Sequence, residues 1–288
     1  MKLSQPFAEI YIPDNVEEGA ALKRATMLSV GAHQDDVEFN GFPLIRDAYA
    51  TGKPCLGAVI LTNGAGSSRA GVYANTTDAE MQTIRRREQR LAADVGRYAF
   101  VAQLQYPSAL ARNASDDTAD KELAAIFEAA SAETILTHNL LDRHDTHVAT
   151  VLRTIRALRL LPTAKRPRRL LGAEGWRNLD WLPDAYKVRL DAGGHDSLSA
   201  ALMGIFDSQI AGGKRYDAAT FGRRRANATY DQSHAVDTSE QITFALDMTS
   251  LIQDDNASIA AFTADILRTF DSEIAGTLTR ANGGASCK

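Results

Sequence analysis

The stretch Thr26-Met27-Leu28-Ser29-Val30-Gly31-Ala32-His33-Gln34-Asp35-Asp36 decides how the chain is read. Thr26–Ala32 carries no charge and predicts a strand buried on both faces. An imidazole and two adjacent carboxylates follow at once. Open α/β sheets bind ligands beyond the carboxyl ends of their strands, so this polar cluster stands where such a fold does its chemistry. A hydrolytic metal centre needs about three protein ligands and an open position. It also needs a carboxylate that stays off the metal to take a proton. Adjacent side chains project in different directions, which suits that division between Asp35 and Asp36. The bland alternative is a loop whose acids only cap the next helix; the histidine ahead of the pair argues against it. Glu38 is read as orienting a ligand from behind or as an acid in a helix's first turn.

Working outward, Leu56–Thr62, Ala99–Tyr106, Thr134–Thr137 and Arg169–Ala173 read as four further strands. Between them lie helices over Phe42–Thr51, Asp78–Val95, Lys121–Ser131 and His147–Leu161, with Gly52 suited to capping the first. Strands alternating with helices predict an α/β fold with a mostly parallel sheet and helices on both faces. Leu198–Ile210 and Ala257–Ile274 read as helices, and the basic Lys214–Tyr230 as a loop. We expect one domain over residues 1–288, a core of about 26–210 and a C-terminal elaboration of about 211–288.

A second cluster, Asn139, Asp142, His144, Asp145 and His147, follows the fourth strand and can reach the same rim. A helix beginning near Asp145 brings His144 and His147 onto one side of its first turn. One of them can complete a metal site. The other can remain free, as a protonated group that steadies an oxyanion, held in its tautomer by Asp142 or Asp145. Three of the six histidines fall within His138–His147, a concentration that disfavours accident. His138 adjoins the strand and reads as a satisfied core or rim histidine. His195 and His234 read as surface or supporting residues.

Bulk properties exclude several classes. A net charge of -4 provides no basic field for nucleic acid. Two cysteines, Cys55 and Cys287, rule out a disulfide framework and predict an intracellular, cytoplasmic protein. Neither a signal peptide nor a membrane span is predicted. No G-x-G-x-x-G follows the first strand, which disfavours a dinucleotide-binding site.

Ala32-His33-Gln34-Asp35-Asp36-Val37-Glu38 resembles the Ala-His-Pro-Asp-Asp-x-Glu signature of the PIG-L (LmbE-like) zinc N-deacetylases. Asp142-Arg143-His144-Asp145-Thr146-His147 resembles their second motif, His-Pro-Asp-His. Arg85-Arg86-Arg87-Glu88 and Phe206-Asp207-Ser208-Gln209 are similar to their Arg-x-x-Glu and His-x-Ser-Gln segments, so the likeness runs in order over roughly residues 26–210. It implies a Rossmann-like fold, and zinc or another divalent ion held by His33, Asp36 and His147. It implies Asp35 as general base and His144 as oxyanion stabiliser. The implied substrate is a small N-acyl, foremost N-acetyl, amino sugar such as N-acetylglucosamine or a conjugate.

Three departures stand out. Gln34 replaces a proline and should loosen the turn. Asp145 also replaces a proline. Thr146 replaces the aspartate that supports the free histidine, a role left to Asp142 or Asp145. Arg69, Arg85 and Arg224 are assigned to substrate binding. The basic residues Lys214, Arg215 and Arg223–Arg225 read either as a sugar-phosphate site or as a solvated loop. Two other functions stay open: a binding module that keeps the metal without turnover, and an amide hydrolase acting on a non-sugar conjugate. A homo-oligomer is also left open.

Overall fold

In the computed structural model, residues 1–130 and 132–283 are described; Cys287, and Ser131 at the expected end of one helix, lie outside them. Eight strands form one sheet among these residues: β1 Glu9–Tyr11, β2 Met27–Gly31, β3 Leu56–Thr62, β4 Phe100–Tyr106, β5 Thr134–His138, β6 Arg169–Ala173, β7 Lys187–Asp191 and β8 Ile242–Asp247. Their order is β1-β4-β3-β2-β5-β6-β8-β7. The five central strands pair in parallel, and β1, β8 and β7 are antiparallel to their neighbours.

The central strands are largely apolar because both of their faces are covered. Every residue of β3 is buried. Val59 and Leu61 pack into one core cluster, with the helices Thr118–Ala130 and Asp145–Arg159. Ala58 and Ile60 face the other, with Phe42–Ala50 and Asp78–Gly96. This period-two division is what a doubly covered parallel sheet requires. Each fully buried Val or Ile contributes about 1.5–3 kcal/mol, so a charge at Val59 would break the sheet at its centre.

Strand order reverses at β2. The chain runs outward through β3 and β4, then returns to add β5 on the other side of β2. The β2–β5 junction is therefore the topological switch point, where the loops leaving the two strands diverge and open a crevice.

The C-terminal part departs from expectation. Tyr216–Tyr230, read as part of a loop, is a helix. Its buried residues are Arg224, Asn227 and Ala228, so the inward face is polar and gives no apolar period. Hydrogen bonding satisfies that face: Arg224 donates to the Glu38 and Phe39 carbonyls, and Asn227 to the Ile242 carbonyl. The Leu198–Ile210 helix is broken at Phe206 into Asp196–Ile205 and Asp207–Ile210. No described helix is long and apolar enough to cross a membrane.

Candidate metal centre and active-site cavity

The two polar clusters meet at the switch point. The Ala32 N–H, just past β2, donates to His138 Nε2 at the end of β5 at 2.9 Å. This bond joins strand ends 106 residues apart in sequence. His138 stands at the rim as expected, its ring stacked on His147 with centroids 3.8 Å apart, but only its Nε2 is satisfied; its buried Nδ1 has no hydrogen-bond partner.

Asp36 sits at the centre of the cluster. Its Oδ2 accepts from the His33 N–H at 2.7 Å and lies 3.3 Å from His33 Nδ1. Its Oδ1 lies 3.5 Å from His147 Nε2. Burial opposes its charge, yet His147 and His138 hold the carboxyl well below the usual range. Gly31 permits the tight turn: a Cβ there would come within 2.9 Å of Asp36 Cβ.

His33, Asp36 and His147 each offer one ligand atom, all within 4.8 Å of one another. Tetrahedral bonds of about 2.0–2.2 Å place ligand atoms about 3.3–3.6 Å apart; here each imidazole stands at such a distance from a different oxygen of Asp36, Oδ2 for His33 and Oδ1 for His147. His147 is also supported from behind. Its Nδ1 is 3.0 Å from Asp142 Oδ2, which fixes the tautomer with the hydrogen on Nδ1 and leaves Nε2 free to coordinate. Burial works against charge on His147, but Asp36 and Asp142 raise its pKa. Asp142 is pinned by the backbone N–H groups of Arg143, Trp176 and Arg177, and a Cβ on Gly175 would come within 2.7 Å of its Oδ2. The donor set therefore fits a divalent ion of the zinc class. A second grouping, His138, Asp142 and His147, shares His147 with the first and already holds the Asp142–His147 hydrogen bond within it.

Asp35 stands beside this triangle with φ 92°, a conformation unusual for a non-glycine residue. Such strain persists only where the surroundings enforce it. Here the Asp35 N–H donates to Gln89 Oε1 at 3.2 Å, and Arg85 Nη2 reaches Asp35 Oδ2 at 3.2 Å and the Gln34 carbonyl. Burial pushes the Asp35 carboxyl up, while Arg85 pulls it down. Gln34 does not loosen the turn: it is fully buried, and its Nε2 donates to the Thr62 carbonyl at 3.0 Å. Glu38 acts through a relay, with its Oε1 accepting from Gln89 Nε2 and the Tyr98 hydroxyl, both at 2.8 Å.

His144 is the N-cap of the helix Asp145–Arg159, and its Nδ1 accepts from the Thr146 N–H at 3.3 Å. Burial and then His147 lower its pKa to about 4. With Nδ1 accepting from its own helix, its Nε2 is the ring nitrogen left to face the cavity. Neither acid supports it as anticipated: Asp142 binds His147, and Asp145 is exposed.

The expected substrate arginines separate. Arg69 pairs with Asp78 at 2.6 Å and does not line the cavity. Arg85 lines it but is turned to Asp35, and Arg224 is bound to Ser199 Oγ and to backbone carbonyls. A cavity of about 700 Å³ opens over the cluster, walled also by Arg112, Trp176, Lys214 and Tyr216. Arg112 and Trp176 escaped the sequence reading. Trp176 follows β6 on the same rim, and that position was the available signal; Arg112 carries none.

A family model described as GlcNAc-PI de-N-acetylase, PIG-L, matches residues 28–158. Over residues 28–158 the chain is similar to the PIG-L family. The PIG-L segment contains His33, Asp35, Asp36, Asp142, His144 and His147. No curated protein matches the chain in sequence. Solved structures share its fold. The 4-carboxy-2-hydroxymuconate hydratase from Pseudomonas putida KT2440 aligns with TM-score 0.62 and 18% identity, covering 78% of this chain and 96% of its own. The N,N'-diacetylchitobiose deacetylase from Pyrococcus horikoshii aligns at 0.58 and 15%, covering 76% and 82%. The A40926 pseudoaglycone deacetylase Dbv21 aligns at 0.58 and 16%, covering 78% and 97%.

Proposed function

We propose that the chain is a cytoplasmic, metal-dependent N-deacetylase, one domain over its whole length, acting on a small N-acetyl amino sugar or its conjugate. The observation that carries this reading is the ligand triangle of His33, Asp36 and His147 with the unligated Asp35 carboxylate immediately beside it. The PIG-L match and the deacetylases sharing the fold support it.

Zinc, or a similar ion at this triangle, supplies Lewis acidity toward an amide carbonyl and toward water. Asp35 takes a proton from the attacking water as its oxygen bonds to the acyl carbon. His144 donates from Nε2 to the developing oxyanion, a contribution whose removal costs about 10²–10³ in rate in comparable sites. When the carbon–nitrogen bond breaks, Asp35 passes its proton to the leaving amine, and acetate and a free amino sugar depart. Arg85 holds Asp35 in place throughout.

Because a hydratase shares the fold, the decisive assay identifies products. Acetate and primary amine are measured with N-acetylglucosamine, its phosphates and non-sugar N-acyl compounds, before and after chelation and zinc replacement. Equimolar acetate and amine, lost on chelation and restored by zinc, uphold the reading. Metal binding without release from any substrate would favour a binding module.

A further inference from the structure

The cavity wall carries cations that the catalytic cluster does not use. Lys214 Nζ stands 5.1 Å from the centre of the Trp176 ring. Arg112 Nη1 donates to the neutral Thr146 Oγ1 at 3.2 Å. Among the described residues, neither has a carboxylate within ion-pair distance, whereas Arg215 pairs with Asp217 and Arg225 with Asp196; Arg223 and Arg224, also on the wall, are tied instead to backbone carbonyls and Ser199. The acids lining the cavity are already engaged. Asp35 is held by Arg85, Asp36 lies among three imidazoles, and Glu174 accepts from Asn227, Phe244 and Leu179. Lys214 and Arg112 thus face the cavity with their charge uncompensated.

Trp176 links these cations to the centre. Its backbone N–H donates to Asp142, the carboxylate that orients His147. Its ring lies 6.2 Å from His144 and 6.1 Å, edge to face, from Tyr216. An aromatic surface fixed beside the reacting centre is suited to the apolar face of a sugar ring, and a cation over that surface is suited to an anionic substituent on the ring.

Building on the deacetylase reading, we propose that the substrate is an anionic amino sugar, bearing a carboxylate or phosphate, and that Lys214 and Arg112 select it while Trp176 carries the ring. The cavity is an anion-selective site, not a general N-acetyl sugar pocket.

Binding is measured in the Asp35→Asn protein, so that turnover does not intrude, by equilibrium titration at low and high salt. The ligands are N-acetylglucosamine, its 1- and 6-phosphates and N-acetylmuramate. The charged sugars are expected to bind about tenfold or more tightly than the neutral one, with an advantage that shrinks with salt. In Lys214→Gln/Arg112→Gln the advantage should vanish while neutral-sugar affinity and the melting temperature hold. Phosphates outranking N-acetylmuramate would assign phosphate; the reverse would assign carboxylate. Equal affinity for charged and neutral sugars, or a preference that survives the double substitution, overturns the proposal. The two readings separate cleanly: anion preference without acetate release from any substrate sinks the deacetylase and leaves the anion site, whereas equal kcat/KM on neutral and charged sugars does the opposite.

Discussion

Glu88 accepts both the backbone N–H and the hydroxyl of Ser208, at 2.8 and 2.6 Å, across 120 residues of sequence. Two short motifs that carry little weight separately are thereby one structure. Glu88 shares its helix with Arg85, 3.7 Å away, and Arg85 grips Asp35. The segment after Ser208 leads to Lys214 and Tyr216 on the cavity wall. The bond pair therefore braces the proposed base and one cavity wall against each other.

Ser208→Ala removes one of the two bonds and leaves the buried Glu88 Oε2 short of a partner. A loss of about 1–2 kcal/mol in unfolding free energy is expected, read from the denaturant midpoint at constant m. A variant as stable as the parent would show that the brace contributes nothing.

Asp35→Asn tests the base. Asparagine tolerates positive φ better than most residues, so the fold and the metal triangle should persist. Turnover should fall about 10²–10⁴-fold with metal content unchanged. Comparable kcat in the variant would remove Asp35 from that role.

Arg85→Gln separates positioning from substrate contact. Since the guanidinium engages Asp35 and the Gln34 carbonyl, kcat should drop with KM nearly constant, and the pH–rate profile should shift. A rise in KM alone would return Arg85 to the substrate-binding role read from the sequence.

Asp142→Asn weakens the hydrogen bond that sets the His147 tautomer. Metal affinity is expected to fall about 10–100-fold, measured by competition with a chromogenic chelator. Unchanged affinity would mean that the bond does not serve coordination.

Much of this arrangement was legible in the sequence because it depends on local chemistry. β2 through β6 are largely apolar runs, charged only at Arg169 where β6 begins, and the His/Asp clusters lie directly after β2 and β5. What escaped depends on partners distant in sequence. β7 reads Lys-Val-Arg-Leu-Asp and is half-exposed at the sheet edge, and β1 has three residues, too short for a period. The Tyr216–Tyr230 helix buries polar groups whose acceptors lie on Glu38, Phe39 and Ile242. Asp142 was expected near an imidazole, but which imidazole follows from the fold: Nδ1 of His144 is already taken by its own helix N-terminus.

A pH experiment addresses one of those unforeseen residues. Burial raises the pKa of Glu174 above 4.5, so between that value and its folded pKa the native state holds a proton that the unfolded chain releases. Stability from this group is thus greatest at low pH and falls as pH rises through the window. Glu174→Gln cannot titrate and keeps an oxygen for Asn227 and Phe244. The wild type's stability relative to this variant should decline as pH rises above 4.5. A constant difference would show that Glu174 is ionised at no cost.

The Ala32–His138 bond also constrains how the molecule can assemble. Parallel pairing of β2 with β5 closes a loop of about a hundred residues, an event that comes late when nearer contacts, such as β2 with β3, carry a smaller entropic cost. No fragment ending before β5 contains the full ligand triangle. Metal uptake should therefore lag behind secondary-structure formation in refolding, making the ion a reporter of completed topology and not a nucleus for it.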